Sequence, residues 1–325
     1  MRIQLLCAAA LAAVALWNGT AGAQIIVGPQ ESGGAGPKGP QLDRTVVQRI
    51  KVGVVVKAIG GACQGIYATT PIPIDWPEQQ VRVVEEDVSP LVQERSERVV
   101  SGTVKQMVIE IPDLPDGQTA RCVVTYEITR RTMQPPAATE GYVVPKKPEK
   151  NVLVYLGPSP FIESKHPKIV SLAKELTADK ENDWQKVEAI YDYVRENVKY
   201  VNGDLKGAIR ALNDKTGDCE ELSSLFIAIC RAAKIPSRTV WVPGHCYPEF
   251  YLTDAEGKGY WFPCQAAGAR EFGGINETRS ILQKGDNFKD PDRPRDKMRY
   301  MSEFLKGTGG GGRPQVNFVR EVVGT

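Results

Sequence analysis

Two residues able to do nucleophilic chemistry stand 26 positions apart: Cys219 in "TGDCEELSSLFIAIC" and His245 in "VPGHCYPEFYL". A thiolate can attack a carbonyl carbon while an imidazole takes and returns the proton, so the two are a candidate nucleophile and base. Asp218 and Glu221 have capping-box spacing, which predicts a helix starting at Cys219. Its apolar stripe is Leu222, Leu225, Phe226, Ile229 and Ala233, and "KIP" at 234–236 ends it. Cys219 would then take the first helical position, where unpaired backbone N–H groups and the positive end of the dipole favour a thiolate. That dipole is worth only about 0.3–1 kcal/mol, and the adjacent Glu220 and Glu221 oppose it. Ionisation near neutral pH therefore calls for an imidazolium partner. The competing reading is a buried structural cysteine, to which the polar neighbours on both sides are ill suited. In "HCYPEFYL", His245, Tyr247, Glu249 and Tyr251 alternate with Cys246, Pro248, Phe250 and Leu252. His166, the other histidine, precedes Pro167 at a predicted helix start and is expected to be exposed.

The elements that must hold these residues fall into two groups, giving an α+β chain. "KVGVVVKAI", "QVRVVEEDV", "TVKQMVIEI" and "ARCVVTYEIT" are β-branched runs separated by turns. In the last of them Cys122, Val124, Tyr126 and Ile128 share one face. These runs predict an antiparallel β-sandwich over residues 44–135. After a Pro-rich linker (136–150) the period becomes helical. Ile169, Leu172, Ala173 and Leu176 make one stripe, with Pro167 in its first turn. Trp184, Val187, Tyr191, Val194 and Val198 make the next, behind the cap candidate Asp183. The helix at Cys219 and two strands complete a catalytic domain spanning 151–288. Residues 289–325, with "GTGGGGRPQ", read as a polar, Gly-rich, flexible tail.

The first 23 residues have a basic start at Arg2, an apolar run from Leu5 to Trp17 and a small-residue site at Ala21-Gly22-Ala23, which predicts a cleaved secretory signal peptide. A Gly/Pro-rich spacer, 24–43, follows. Loss of Arg2 takes the net charge from +2 to +1, and no segment concentrates it, which argues against nucleic acid as a partner. No later stretch approaches the ~18 apolar residues of a membrane span. A periplasmic or secreted location is expected, where disulfides can persist. The chain lacks CxxC pairs and HExxH, and two histidines are too few for a typical zinc site, so no metal is expected, and no organic cofactor is implied.

Taken together, "GDCEELSSLFIAICRAAKIPSRTVWVPG", "HCYPEFYL" and "YWFPC" resemble the transglutaminase-like superfamily. The shared pattern is a Gly-x-Cys helix start, an Arg-Ala-x-x-Ile-Pro-x-Arg helix exit, a His-x-x-x-Glu strand and a Trp-rich strand, spread over roughly residues 160–270. The resemblance implies a papain-like core, with Cys219 as nucleophile, His245 as general base and acid, and a protein or peptide substrate. It also implies acyl transfer from peptide, isopeptide or carboxamide bonds through a thioester, with hydrolysis slightly favoured. One position departs from the pattern. Where the family carries an aspartate after the Trp-rich strand, "WFPCQAAG" carries Gln265. A neutral amide can orient an imidazole, though it stabilises the imidazolium less than a carboxylate would. That departure leaves open a second reading, a catalytically inactive binding module of the cell envelope that keeps the fold. Glu249 is the fallback orienter, and its alternative role is structural.

If "TDAEG" is the hairpin loop, Leu252 pairs with Lys258, His245 with Gln265 and Cys246 with Cys264. The last pair would then form a cross-strand disulfide on the face away from the catalytic pair. Pro248 and Pro263 should place an irregularity in that ladder. Cys63 and Cys122 are expected to form a second disulfide within the β-domain, leaving Cys230 as a core thiol. Backbone N–H groups at the helix start, including that of Cys219, are the oxyanion candidates. Trp241 and Trp261 are candidates for the walls of the site.

Overall fold

Alternation of β-branched residues organises the first third of the chain into long strands. The computed structural model describes residues 39–307 and 309–324. The signal-peptide reading and most of the spacer lie outside them.

In chain order the first six strands are β1 (Gln41–Ile59), β2 (Cys63–Ile72), β3 (Gln79–Val88), β4 (Glu94–Val100), β5 (Val104–Leu114) and β6 (Thr119–Gln134). Then come α1 (Lys150–Leu153), a 3-10 turn over Val154–Leu156, α2 (Pro167–Thr177) and α3 (Asp183–Asn197). The short strands β7 (Lys199–Tyr200) and β8 (Thr216–Gly217) flank α4 (Ala208–Asp214), and α5 (Cys219–Ala232) follows directly. The second sheet region holds β9 (Ser237–Val242), β10 (His245–Thr253), β11 (Gly259–Pro263) and β12 (Gln283–Lys284). The chain ends in β13 (Phe288–Lys289), β14 (Lys297–Met298), β15 (Phe304–Lys306) and β16 (Arg313–Gly324).

Two four-stranded sheets, ordered β16-β1-β6-β3 and β15-β2-β5-β4, enclose the first core. Ile50, Val52, Val54 and Val56 of β1 meet Met107, Ile109 and Ile111 of β5 there. Cys122, Val124, Tyr126 and Ile128 point into the same core, as their alternation predicts. Gly53 lets β6 come close: a Cβ at this position would lie 2.0 Å from the Cys122 carbonyl oxygen.

The predicted flexible tail is corrected by the structure. Its last segment is the strand β16, paired with β1 from Ile50↔Val322 to Ile59↔Arg313, and β15 pairs with β2. The glycine run before β16 serves a close backbone approach, since a Cβ on Gly312 would sit 1.8 Å from the Gly61 carbonyl oxygen. Gly312 N donates to Ala62 O at 3.0 Å. Composition alone made this stretch look like a spacer, although β1 needs a partner for its outer edge.

The second core lies between α2–α5 and one face of the sheet β11-β10-β9-β12. Ile169, Leu172 and Ala173 of α2, and Trp184, Val187, Tyr191 and Val194 of α3, are buried in it. The α3 cap is Asn182, whose side chain accepts from Gln185 N at 2.9 Å. Asp183, the expected cap, is the first helical residue and accepts instead from Val144 N at 2.7 Å. The sheet's other face packs on the sandwich through Val240, Val242, Tyr247 and Trp76. Across that contact Lys284 Nζ bonds Glu78 at 2.7 Å and Glu249 at 2.9 Å, all three buried. Among the described residues no helix is long and apolar enough to cross a membrane.

Candidate active site

Helix α5 begins as its sequence dictates. Asp218 caps it, accepting from Glu220 N at 2.8 Å, while Glu221 Oε2 accepts from Asp218 N at 3.2 Å. The capping box places half-buried Cys219 at the first helical position. From Glu221 to Arg231 every residue is buried, so Cys219 stands at the start of the most enclosed helix of the core. Arg231 anchors the far end, bonding Ser237 O at 2.7 Å and the carboxylate of Asp286 at 2.8 Å.

His245 opens β10 beside this helix start. Its Nε2 lies 2.9 Å from Gln265 Oε1. An amide oxygen only accepts, so Nε2 carries the hydrogen and Nδ1 is left for the sulfur. Cys219 and His245 interact directly, and each shifts the other's ionisation. The neighbouring Cys246 thiol and then the His245 imidazole bring the Cys219 thiol down to about 4 against the opposing effect of burial. Burial works against charge on His245, but its hydrogen bonds to Cys219 and Gln265 win and raise it above the usual imidazole value. Cys122 behaves oppositely: burial pushes it up to about 11.

The acidic neighbours disturb this thiolate less than their proximity suggests. Glu221 spends its oxygens on the backbone N–H groups of Lys206 (2.9 Å) and Asp218. Burial pushes Glu220 up to about 7, although it is paired with Arg299. Burial and the hydrogen bond with Glu221 push Asp218 up to about 6.

Gln265 is held by its backbone. Its N–H donates to Glu271 O at 2.8 Å, and its carbonyl accepts from Tyr191 Oη at 2.8 Å and Arg195 Nη1 at 3.0 Å. This explains how the contact with His245 forms even though the expected ladder does not. The hairpin pairs Leu252 with Tyr260, two residues beyond the expected Lys258, because Asp254 caps the loop and accepts from Lys258 N at 2.9 Å. The ladder's last pair is Glu249↔Pro263; beyond Cys264, which bridges to Phe272, the pinned backbone turns the Gln265 side chain back to the imidazole.

The two expected disulfides are absent: Cys63, Cys122, Cys246 and Cys264 are free, as are Cys219 and Cys230. With the shifted register Cys264 lies opposite Pro248, its N–H donating to Pro248 O at 3.0 Å. Cys246 faces α5 and lies on the Cys219 side of the sheet, not away from it as expected, with its sulfur 3.5 Å from Cys219 O and 3.8 Å from Ser223 Oγ. Cys63 and Cys122 stand in opposite sheets. Cys122 rests on Met107 at 3.6 Å, far along the ladder from Leu114, the partner of Cys63. Cys230 is a fully buried core thiol.

Glu249 is occupied by Arg238 and Lys284 on the sheet's other face. His166 caps α2, accepting from Lys168 N at 3.2 Å. A cleft of about 660 Å³ opens beside Cys219 and His245, walled by Trp241, Tyr200, Arg299, Tyr300 and Arg320. Trp241 is fixed by an N–H bond to Gly285 O at 2.8 Å. Trp261 instead packs on Arg238, 4.0 Å from ring centre to guanidinium carbon, on the opposite face of the sheet. Sequence reasoning missed Cys246, Arg195 and the three cleft residues from the C-terminal segment. An alternating "VNFVREV" run was the available signal that this segment folds.

Residues 170–266 match the transglutaminase-like superfamily, in line with the resemblance read from the sequence. The candidate cysteine protease from Cytophaga hutchinsonii superposes with a TM-score of 0.57 at 18% identity, covering 88% of this chain and 93% of that chain, which is a likeness of fold. The periplasmic domain of TgpA from Pseudomonas aeruginosa, bound to ethylmercury, gives a TM-score of 0.35 at 12% identity, covering 69% of this chain and 90% of its own. A candidate protease from Parabacteroides distasonis gives 0.25 at 13% identity, covering 62% and 63%. No curated protein matches the chain.

Proposed function

We propose that this chain is an exported transglutaminase-like cysteine enzyme that opens peptide, isopeptide or carboxamide bonds through a thioester on Cys219. The observation that carries the reading is the convergence of a half-buried thiol at the first position of α5, an imidazole beside it that helps to lower its pKa, and an amide oxygen 2.9 Å from that imidazole's far nitrogen. In this mechanism the Cys219 thiolate adds to the carbonyl carbon, and the oxyanion takes a hydrogen bond from the Cys219 backbone N–H. The tetrahedral adduct collapses as His245 Nδ1–H protonates the departing amine, leaving the thioester and a neutral imidazole. His245 then removes a proton from water, which displaces the sulfur and restores the ion pair. A primary amine in place of water would give transfer, and hydrolysis is slightly favoured. Gln265 holds the ring in the tautomer that points Nδ1 at the sulfur.

Libraries of peptide and isopeptide amides, with and without an added primary amine, test this. The expected result is release of amine from some members, abolished in Cys219→Ala. Amine incorporation in excess of release would change the assignment to a transferase. An intact protein that turns over no member and forms no thioester would refute the enzyme reading.

A further inference from the structure

Cys246 is a second sulfur nucleophile that makes and breaks no bond in the acyl transfer. On β10 it has the parity of Phe250 and Leu252, which share the core with α5. Its sulfur therefore lies under the first turn of that helix, 3.5 Å from Cys219 O and 3.8 Å from Ser223 Oγ. The side chains of Cys219 and Cys246 interact directly. Two of the other thiols are engaged elsewhere: Cys122 rests on Met107, and Cys264 bonds Pro248 O at 3.7 Å.

The two sulfurs differ in access. Cys219 is half-buried and lines the cleft, whereas Cys246 is 1% exposed and takes no part in the lining. A reagent entering the cleft meets Cys219 first, and Cys246 can act only on what has formed there. Their ionisation is ordered in the same way. Contact with Cys219, and then burial, hold the Cys246 thiol well above its ordinary range and so protonated. Attack by Cys246 is suppressed for as long as Cys219 keeps its charge.

We propose that Cys246 is the resolving cysteine of a reversible redox switch, closing a disulfide with Cys219 once a hydroperoxide has oxidised the nucleophile. The switch requires the reactive Cys219 thiolate of the proposed function. In the first step the Cys219 sulfur attacks an oxygen of hydrogen peroxide and gives up two electrons. The O–O bond breaks, the imidazolium of His245 protonates the departing hydroxide to water, and a sulfenic acid remains on Cys219. The thiolate that kept Cys246 protonated is now gone, and the hydrogen bond with Ser223 favours its ionised form. In the second step the Cys246 sulfur attacks that of Cys219. The S–O bond breaks, the S–S bond forms, and hydroxide leaves with the Cys246 proton as water. A dithiol restores both thiols and itself becomes a disulfide. The closed form has no nucleophile, and its sulfur is shielded from irreversible oxidation to the sulfinic acid.

Treatment of the reduced, desalted chain with hydrogen peroxide at neutral pH, followed by intact mass and a peptide map, decides the matter. The mass should fall by two hydrogens, and dithiothreitol should restore both the mass and the count of free thiols. Trypsin leaves Cys219 and Cys230 together in the peptide 216–231, so a Glu-specific protease is added to cut between them at Glu220 and Glu221. The crosslink should join the Cys219 fragment to the one carrying Cys246. In Cys246→Ser the same treatment should instead add oxygens to Cys219 that dithiothreitol does not remove, with loss of that thiol. The wild-type map needs no variant, so it stands even where Cys246→Ser fails to fold. Sulfinic acid on Cys219 beside a free Cys246, or a crosslink between other cysteines, would overturn the switch alone. A Cys219 left unchanged by peroxide would overturn the switch and the reactive thiolate together.

Discussion

Titrating the reaction of Cys219 with a small neutral disulfide such as dithiodipyridine, from about pH 5 to pH 8, separates an ion-paired thiolate from an ordinary thiol. A free thiol with pKa about 8.5 is roughly 0.03% ionised at pH 5 and ~24% at pH 8, so its rate climbs about 800-fold across the range. Cys219, held at about 4, is roughly 90% ionised at the acid end and essentially fully ionised at the other. Its rate should therefore be flat to within about 10%. Absolute speed is less telling, because a thiolate lower in basicity by about 4.5 units loses roughly 100-fold in intrinsic reactivity. Cys219 should outpace a free thiol by about 30-fold at pH 5, match it near pH 6.5 and lag by about 25-fold at pH 8. The sign follows from a lowered pKa: the thiolate persists above about 4 and is lost below it. In His245→Ala the imidazolium contribution disappears while that of Cys246 remains, so the flat profile should bend and its inflection move upward. The readout is intact mass against time, with the adduct mapped to Cys219. A wild-type rate that climbs about tenfold per pH unit through this range would refute the reasoning.

Five other outcomes follow from the packing and electrostatics. Gln265→Glu places a carboxylate against an imidazole whose pKa is already raised, so the alkaline limb of kcat/KM, lost as pH rises through the His245 pKa, should move up by about one unit; Gln265→Ala should cost roughly 10–100-fold in kcat, read from the same pH–rate profile. Lys284→Met leaves the carboxylates of Glu78 and Glu249 buried without their shared cation, and urea unfolding should show a loss of about 3–5 kcal/mol. Gly53→Ala drives a Cβ to 2.0 Å from a backbone oxygen in the middle of the β1–β6 ladder, and the strand shift it forces should cost about 1–3 kcal/mol by the same measurement. Unfolding without reductant should expose all of Cys63, Cys122, Cys219, Cys230, Cys246 and Cys264 to a thiol reagent, and a shortfall of two would restore a disulfide.

What could be read in advance was local. The capping box of Asp218 and Glu221 defines the start of α5, and the apolar stripes of α2 and α3 name their buried residues, because each signal lies within one or two helical turns. The meeting of His245 and Gln265 came out correctly from a register that was wrong by two residues. An even shift keeps every side chain on its face, and the turn after Cys264 restores the contact. The same error was fatal to the Cys246–Cys264 pairing, since a disulfide tolerates no such offset. The return of β16 to β1 was invisible for another reason. It depends on a strand edge more than 250 positions away in the chain, and the glycine run masked the alternation that follows it. With β16 unrecognised, Arg299, Tyr300 and Arg320 could not be placed in the cleft.

The central claim is that Cys219 and His245 form an ion pair, and it is tested most directly by NMR titration of the imidazoles. Only His166 and His245 contribute signals, and His166→Gln assigns them. In the wild-type chain His245 should titrate above the ordinary imidazole value of about 6.5. In Cys219→Ala the thiolate is gone and burial is left with less to oppose it, so the same resonance should titrate lower. Identical His245 titrations in the two proteins would contradict the account.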